Sequence, residues 1–229
     1  MLSVLIRLVR IQQVRLQITD EIRRCTSSHI KYYDELFTLI TSEQSDNPEM
    51  KMQMVSEISI NHSIFLCSRL AEIFEIVTGA PCHASIKSFN SVAGQVTTRT
   101  RDALMNNHDR SVADDNVISF PYEANTAFKA ILDDPKVDLY INNFLRLTAA
   151  LGYYSNANPD WRRNYCATVV APISSSRSAA AITRDSVIGF VCVDNRRGAF
   201  PSRYSRAVLS VFVLFINDMM VKLGEIEQV

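Results

Sequence analysis

The chain has 229 residues, 47% of them hydrophobic and 21% charged, with 24 Lys+Arg balanced by 24 Asp+Glu. This length holds one large domain, or one of about 150 residues with a helical extension. The zero formal charge lacks the basic excess of a duplex-binding domain, so no nucleic-acid partner is expected. The five cysteines (Cys25, Cys67, Cys82, Cys166, Cys192) form no CxxC pair and read as reduced, buried thiols of a cytoplasmic protein. The four histidines are isolated as well, so neither a metal site nor a cofactor is expected.

The opening segment, MLSVLIRLVRIQQVRLQ, is interrupted by Arg7, Arg10 and Arg15. It falls short of the ~20 apolar residues of a membrane span and lacks the small-residue cleavage site of a signal peptide. No transmembrane segment is expected; peripheral contact of a basic amphipathic helix with a membrane is the alternative use of this segment. Residues 3–42 contain neither Pro nor Gly, and Val4, Leu8, Ile11, Arg15, Ile18, Ile22, Cys25, His29, Tyr32, Leu36 and Leu39 alternate at spacings of four and three. Such a heptad seam predicts one helix of about 60 Å, too long for a small domain to cover, and so implies a second copy of the chain. Arg15 and His29 fall on the seam, where a polar residue sets register and a histidine can sense pH.

Asn47–Pro48 supplies a cap and first turn for a second helix that closes at TGAPC, with Gly79 as its stop. CHASIKSF alternates His83, Ser85 and Lys87 against Ala84, Ile86 and Ser88, the pattern of a strand with one wet face. NSVAG then reads as a hairpin turn and QVTTRTRDA as the return strand. MNNHDRSVADDN reads as a loop, YEANTAFKAILDD and KVDLYINNFLRLTAAL as short helices, and GYYSNANPDWRR as a loop. YCATVVAPI and VIGFVCVDN are buried strands flanking the polar loop SSSRSAAAITRDS, and the chain ends in a helix that is apolar almost all round. Strands in hairpins with helices gathered at the ends define an α+β architecture: a central antiparallel β-sheet flanked by helices, with a long N-terminal helical extension. The expected organisation is a dimerisation helix over residues 1–45 and a domain over 46–229, comprising helix 48–78, sheet and lid 82–200, and helix 203–226.

The succession Val170–Ala171–Pro172–Ile173, then Ile188–Gly189–Phe190–Val191–Cys192–Val193–Asp194, then Phe200 and a closing helix resembles the C-terminal half of GAF domains, with likeness to the family over residues 60 to 226. The resemblance implies a GAF/PAS-like sheet with helices on one face and a small-molecule pocket on the other. It also implies a homodimer built by the N- and C-terminal helices, as in sensory modules of the bacterial type. Gly189 reads as a close-approach position, and Asp194, Asn195 and Gly198 as the turn where the strand ends. The N-K-F-D-E set of cyclic-nucleotide-binding members and the cysteine and histidine context of bilin-binding members are not found, and no Gly-rich phosphate loop or helix-turn-helix signal accompanies the resemblance.

The family places its lid in the excursion before the V-P-I strand. Here that segment concentrates Tyr140, Asn143, Tyr153, Tyr154, Asn156, Trp161, Arg162 and Tyr165, with Thr168 on the pocket floor. Aromatic walls with amide and guanidinium groups suit a flat polar ligand, such as a nucleotide or an aromatic metabolite. The same residues would equally serve as anchors of a long loop. The functional expectation is a dimeric sensory module that binds a small molecule and relays its state through the helices. One alternative is a non-catalytic interaction protein with a degenerate pocket and a protein partner. A second, a thiol-based reductase of methionine sulfoxide, would need the sheet to gather Cys82, Cys166 and Cys192.

Overall fold

The computed structural model describes residues 2–41, 47–103, 119–134, 136–158, 161–175 and 183–226. Two long helices, α1 (Leu2–Thr41) and α2 (Pro48–Thr78), precede the hairpin β1 (Cys82–Asn90) and β2 (Gln95–Arg101). After β3 (Ser119–Pro121) come a 3-10 turn (Tyr122–Ala124), α3 (Thr126–Asp133), β4 (Tyr140–Asn142), α4 (Leu145–Ala150) and α5 (Trp161–Asn164). The strands β5 (Ala167–Ser174) and β6 (Val187–Asn195) and the closing helix α6 (Ser202–Ile226) complete the chain. The helix boundaries at α2 follow the sequence: the Asn47 side chain accepts from the Glu49 and Met50 N–H groups, Pro48 occupies the first turn, and Gly79 closes the helix at φ 69°.

The six strands form one antiparallel sheet in the order β3-β2-β1-β6-β5-β4. Where β6 passes β1, a Cβ on Gly189 would lie 2.3 Å from the Lys87 carbonyl oxygen, so only glycine fits. Alternation along the strands sends Ala84, Ile86, Val169, Ile173, Val191 and Val193 to one face. There they meet Leu66, Leu70, Ile73 and Phe74 of α2 and Val208, Leu209, Phe212 and Ile216 of α6. Each of the Val, Leu, Ile and Phe side chains gains roughly 1.5–3 kcal/mol on burial, which makes this layer the main hydrophobic core.

The heptad seam of α1 is covered within the chain. Ile18, Cys25, His29, Tyr32 and Leu36 are buried against the helical layer. Contacts of His29 with His62 and Tyr32 with Ser59 set α2 antiparallel to α1. Tyr33 with Asp218 and His29 with Phe215 set α6 parallel to α1. The stripe Val55, Ser59, His62 and Leu66 of α2 supplies the complement that a second copy was expected to supply. Arg15 is exposed, so it sets no register there. This pairing puts Gln13 level with the end of α2, and the first turns of α1 run on beyond it.

Among the described residues six strands replace the four expected. KVDLYINNFLRLTAAL is no single helix: Tyr140–Asn142 adds an edge strand to β5, and only Leu145–Ala150 is helical. β3 is a second edge strand, where Pro121 needs no ladder donor. Trp161–Asn164 is a helical turn inside the expected loop. The loop MNNHDRSVADDN and most of SSSRSAAAITRDS lie outside the described residues. The stretch Ser202–Lys222 is by length and composition apolar enough to cross a membrane, which the sequence reading did not anticipate. In the fold it is a cover helix, with Ser205 and Asn217 buried and Asp218 accepting from Tyr33.

Candidate functional site at the polar end of the open face

The sheet face turned away from the long helices is divided. One half is filled: Phe89, Val96, Tyr122, Phe128, Ile131, Val187 and Phe190 pack under α3, with the Phe128 and Phe190 rings 4.5 Å apart. The other half is polar, and strand register builds it. Asn142, Thr168, Asp194 and His83 lie in one row across β4, β5, β6 and β1. Tyr140, Val170, Cys192, Ser85 and Arg101 form the next row, in which Val170 and Cys192 belong to the filled half and Tyr140 packs against it. Thr168, Ser85 and Cys192 are buried, whereas Tyr140, Asn142, Asp194, His83 and Arg101 are half-buried. The rows therefore form a floor with a rim that reaches solvent.

The rim is held in place from behind. Asp102, 1% exposed, accepts from the Ala84 N–H at 2.9 Å, and its Oδ2 stands 3.7 Å from His83 Nδ1. Lys87 donates to Thr98 Oγ1 at 2.7 Å. Asn142 donates to Tyr140 Oη and Thr148 Oγ1 and accepts from the Phe144 N–H. Burial raises the Tyr140 phenol above its usual value, against the lowering effect of the Asn142 hydrogen bond. Tyr154 is raised more strongly, mainly by burial, and Asp194, Tyr140 and Cys192 are among its electrostatic neighbours. Both phenols stay protonated donors at neutral pH.

The residues singled out from the sequence separate into groups. Tyr140 and Thr168 stand in the polar rows. Tyr154, Trp161 and Tyr165 pack with Leu145 into a small core of their own, Tyr154 edge-on to Trp161 at 5.1 Å. Asn156 donates to both the Tyr154 and Tyr165 hydroxyls at 2.8 Å and so fastens that core. Arg162 is exposed, its guanidinium 4.9 Å from the Trp161 ring centre, and Tyr153 is exposed too. Asn143 faces elsewhere: it accepts from Phe200 N–H at 2.7 Å and donates to Phe200 C=O at 3.2 Å, clamping the lead-in to α6. Asn195 accepts from Gly198 N–H to hold the strand-end turn, while Asp194, expected in that turn, joins the polar row. His83, Ser85 and Asp194 were not among the expected site residues. The alternation in CHASIKSF was their signal, but only cross-strand register shows that they meet Thr168 and Asn142.

The thiols are not gathered. Cys82 lies in the helical-layer core and Cys192 on the opposite face of the sheet. Burial pushes the Cys82 thiol up to about 11 and the Cys25 and Cys192 thiols up to about 12, which disfavours thiolate. Among the described residues no three His, Cys, Asp or Glu side chains are placed to hold a metal ion.

No protein-family model matches the chain, and no curated protein matches it in sequence. Solved structures do. The GAF domain of an Acinetobacter phosphoenolpyruvate-protein phosphotransferase superposes with a TM-score of 0.51 at 11% identity, over 90% of this chain and 94% of that one. A methyl-accepting chemotaxis protein fragment (residues 122 to 287) reaches a TM-score of 0.46 at 14% identity, over 78% and 99%. The type II free methionine-R-sulfoxide reductase of Thermoplasma acidophilum reaches 0.45 at 11% identity, over 72% and 95%. The chain has a GAF-like α+β fold.

Proposed function

We propose that the chain is a dimeric, non-catalytic sensory module of the cytoplasm that holds a small, flat, polar molecule over the polar rows and relays occupancy to its helices. The observation that carries this reading is the half-buried set Tyr140, Asn142, Asp194 and His83 over the buried Thr168 and Ser85, on a face otherwise packed with phenylalanines. Phenol, amide, carboxylate and imidazole offer donors and acceptors to a nucleobase or an aromatic metabolite, and the half-buried Tyr140 ring offers stacking surface. A route to the helices starts one residue away. Asn142 stands on the rim, and the adjacent Asn143 clamps Phe200, whose ring packs edge-on against Phe74 of α2 at 5.4 Å. Displacement of β4 by a ligand therefore moves the lead-in to α6 and the end of α2 together.

Thermal-shift titration with a panel of nucleotides and aromatic metabolites tests the reading. A ligand should stabilise the wild type by RT ln(1 + [L]/Kd), about 2.7 kcal/mol at a hundredfold excess over Kd. The shift should be lost in Tyr140→Ala and Thr168→Val. A panel with no shift overturns ligand sensing. The Phe128–Phe190 packing favours the second reading, an interaction protein with a filled pocket, and that negative outcome would select it.

A further inference from the structure

Two helical interfaces are stacked on the sheet, and they differ in chemistry. The inner one, where α2 and α6 cover the strands, is apolar: Leu70, Phe74, Leu209 and Phe212 meet Val169 and Val191. The outer one, where α1 lies on α2 and α6, is fastened by polar contacts at successive turns. Glu21 stands 3.6 Å from Arg69, His29 2.9 Å from His62, Tyr32 3.1 Å from Ser59 and Tyr33 2.7 Å from Asp218. Of the described histidines, His29, His62 and His83, two meet here. Around the pair stand Tyr32 and Tyr33 of α1, Ser59 and Phe65 of α2, and Phe215 and Asp218 of α6. Asp218 is the carboxylate that faces His29, whereas Glu21, Arg24, Arg69 and Glu72 form an ion-pair group about two turns away along α1.

The pair has room for one proton and not for two. With one, His29 donates to His62 Nε2 and turns its own Nε2–H toward Asp218, 3.9 Å away. With two, an N–H on each ring points into the 2.9 Å gap and neither nitrogen can accept. Burial opposes the second charge as well, lowering both histidines, His62 to about 4. We propose that α1 is an acid-released arm: protonation of both His29 and His62 undocks it from α2 and α6 while the sheet and its inner helical cover stay folded. The layering confines the effect. His29, Tyr32 and Tyr33 bear on α2 and α6, and among the described residues the apolar core that seats those helices on the strands contains no histidine. An outer layer held by polar contacts over an apolar core opens as a unit of its own. Undocking uncovers Val55, Ser59 and His62 of α2, which the docked arm keeps buried. It requires no ligand on the polar rows.

Hydrogen exchange of the full chain at pH 7, 6 and 5, read by mass spectrometry and corrected for intrinsic amide rates, tests this. An unfolded histidine near 6.5 against about 4 for docked His62 raises the opening constant of α1 by about tenfold or more from pH 7 to pH 5. Peptides of α1 should lose protection by that factor, and those of β1, β5 and β6 should keep theirs. His62→Phe, which retains a ring against Tyr32, should hold α1 protection level over the same range. Tyr33→Phe, which keeps both histidines, should lose it as the wild type does. Strands that lose protection together with α1 show global unfolding. Protection of α1 that does not change with pH shows a pair that does not switch, and a loss that survives in His62→Phe belongs to carboxylates. Each of these overturns the arm and leaves the sensory reading standing. If His62→Phe does not fold, the wild-type comparison of α1 with the strands decides.

Discussion

His29 Nδ1 and His62 Nε2 lie 2.9 Å apart in the buried layer between α1 and α2, joined by one hydrogen bond that only one imidazole can donate. Burial lowers both histidines, His62 to about 4, with the charge of His29 adding to the effect. Tyr32 stacks on His62, Tyr33 and Phe215 flank His29, and Asp218 stands 3.9 Å from His29 Nε2, a charge that favours its protonation. Because the folded values lie below the unfolded value near 6.5, the unfolded chain takes up protons first as pH falls. The stabilising contribution of the neutral pair is complete above pH 6.5 and is lost as pH drops toward 4. The slope is at most about 1.4 kcal/mol per pH unit for each histidine. Denaturant melts at pH 7 and pH 5 should show this loss in the wild type and a shallower one in His62→Phe. Equal slopes in the two proteins would mean that carboxylates, not this pair, set the acid sensitivity.

Asn143 separates a structural role from a ligand role within the segment that the sequence singled out. Its two hydrogen bonds to the Phe200 backbone hold the entry to α6. Asn143→Ala removes both and leaves the Phe200 peptide groups without these partners, which should cost about 1–3 kcal/mol in urea unfolding. Ligands that stabilise the wild type should bind this variant with unchanged affinity if it only clamps. The relay proposed above requires more: their effect on helix-layer hydrogen exchange should fall. Unchanged exchange with unchanged affinity would break the link between Asn142 on the rim and Phe200.

The parts of the fold written in local pattern were legible. The Asn47–Pro48 cap, the Gly79 stop, the β1–β2 hairpin and the buried β5–β6 pair stand where turn chemistry and apolar runs put them. The edge strands β3 and β4 were not legible, because each is three residues long and is defined by its neighbour rather than by its own period. The seam of α1 was legible as a seam but not as to its occupant: periodicity states that a face is buried and leaves open whether α2 or another chain buries it. The aromatic cluster was legible as composition, and the structure turns Tyr154, Trp161 and Tyr165 inward upon one another. The polar rows were least legible, because Asp194 lies 26 residues beyond its neighbour Thr168 and 111 beyond its neighbour His83, and only strand pairing unites them.

Thiol labelling bears on the reductase alternative. Burial holds the Cys192 thiol up at about 12 on a strand between Ser85 and Val170, and the Cys82 thiol at about 11, where Asn195 and Thr78 contact its sulfur. At pH 8 a group near 12 is thiolate about a thousandfold less often than a free cysteine near 8.5. Iodoacetamide should therefore modify Cys25, Cys67, Cys82 and Cys192 slowly in the native protein and fast in denaturant, as read by peptide mass spectrometry. Labelling of native Cys82 or Cys192 at the denatured rate would mean that the strand opens readily, and would return thiol chemistry to consideration. Slow labelling with ligand-induced stabilisation intact fits a module whose sheet supplies a binding floor and whose sulfurs serve only as packing.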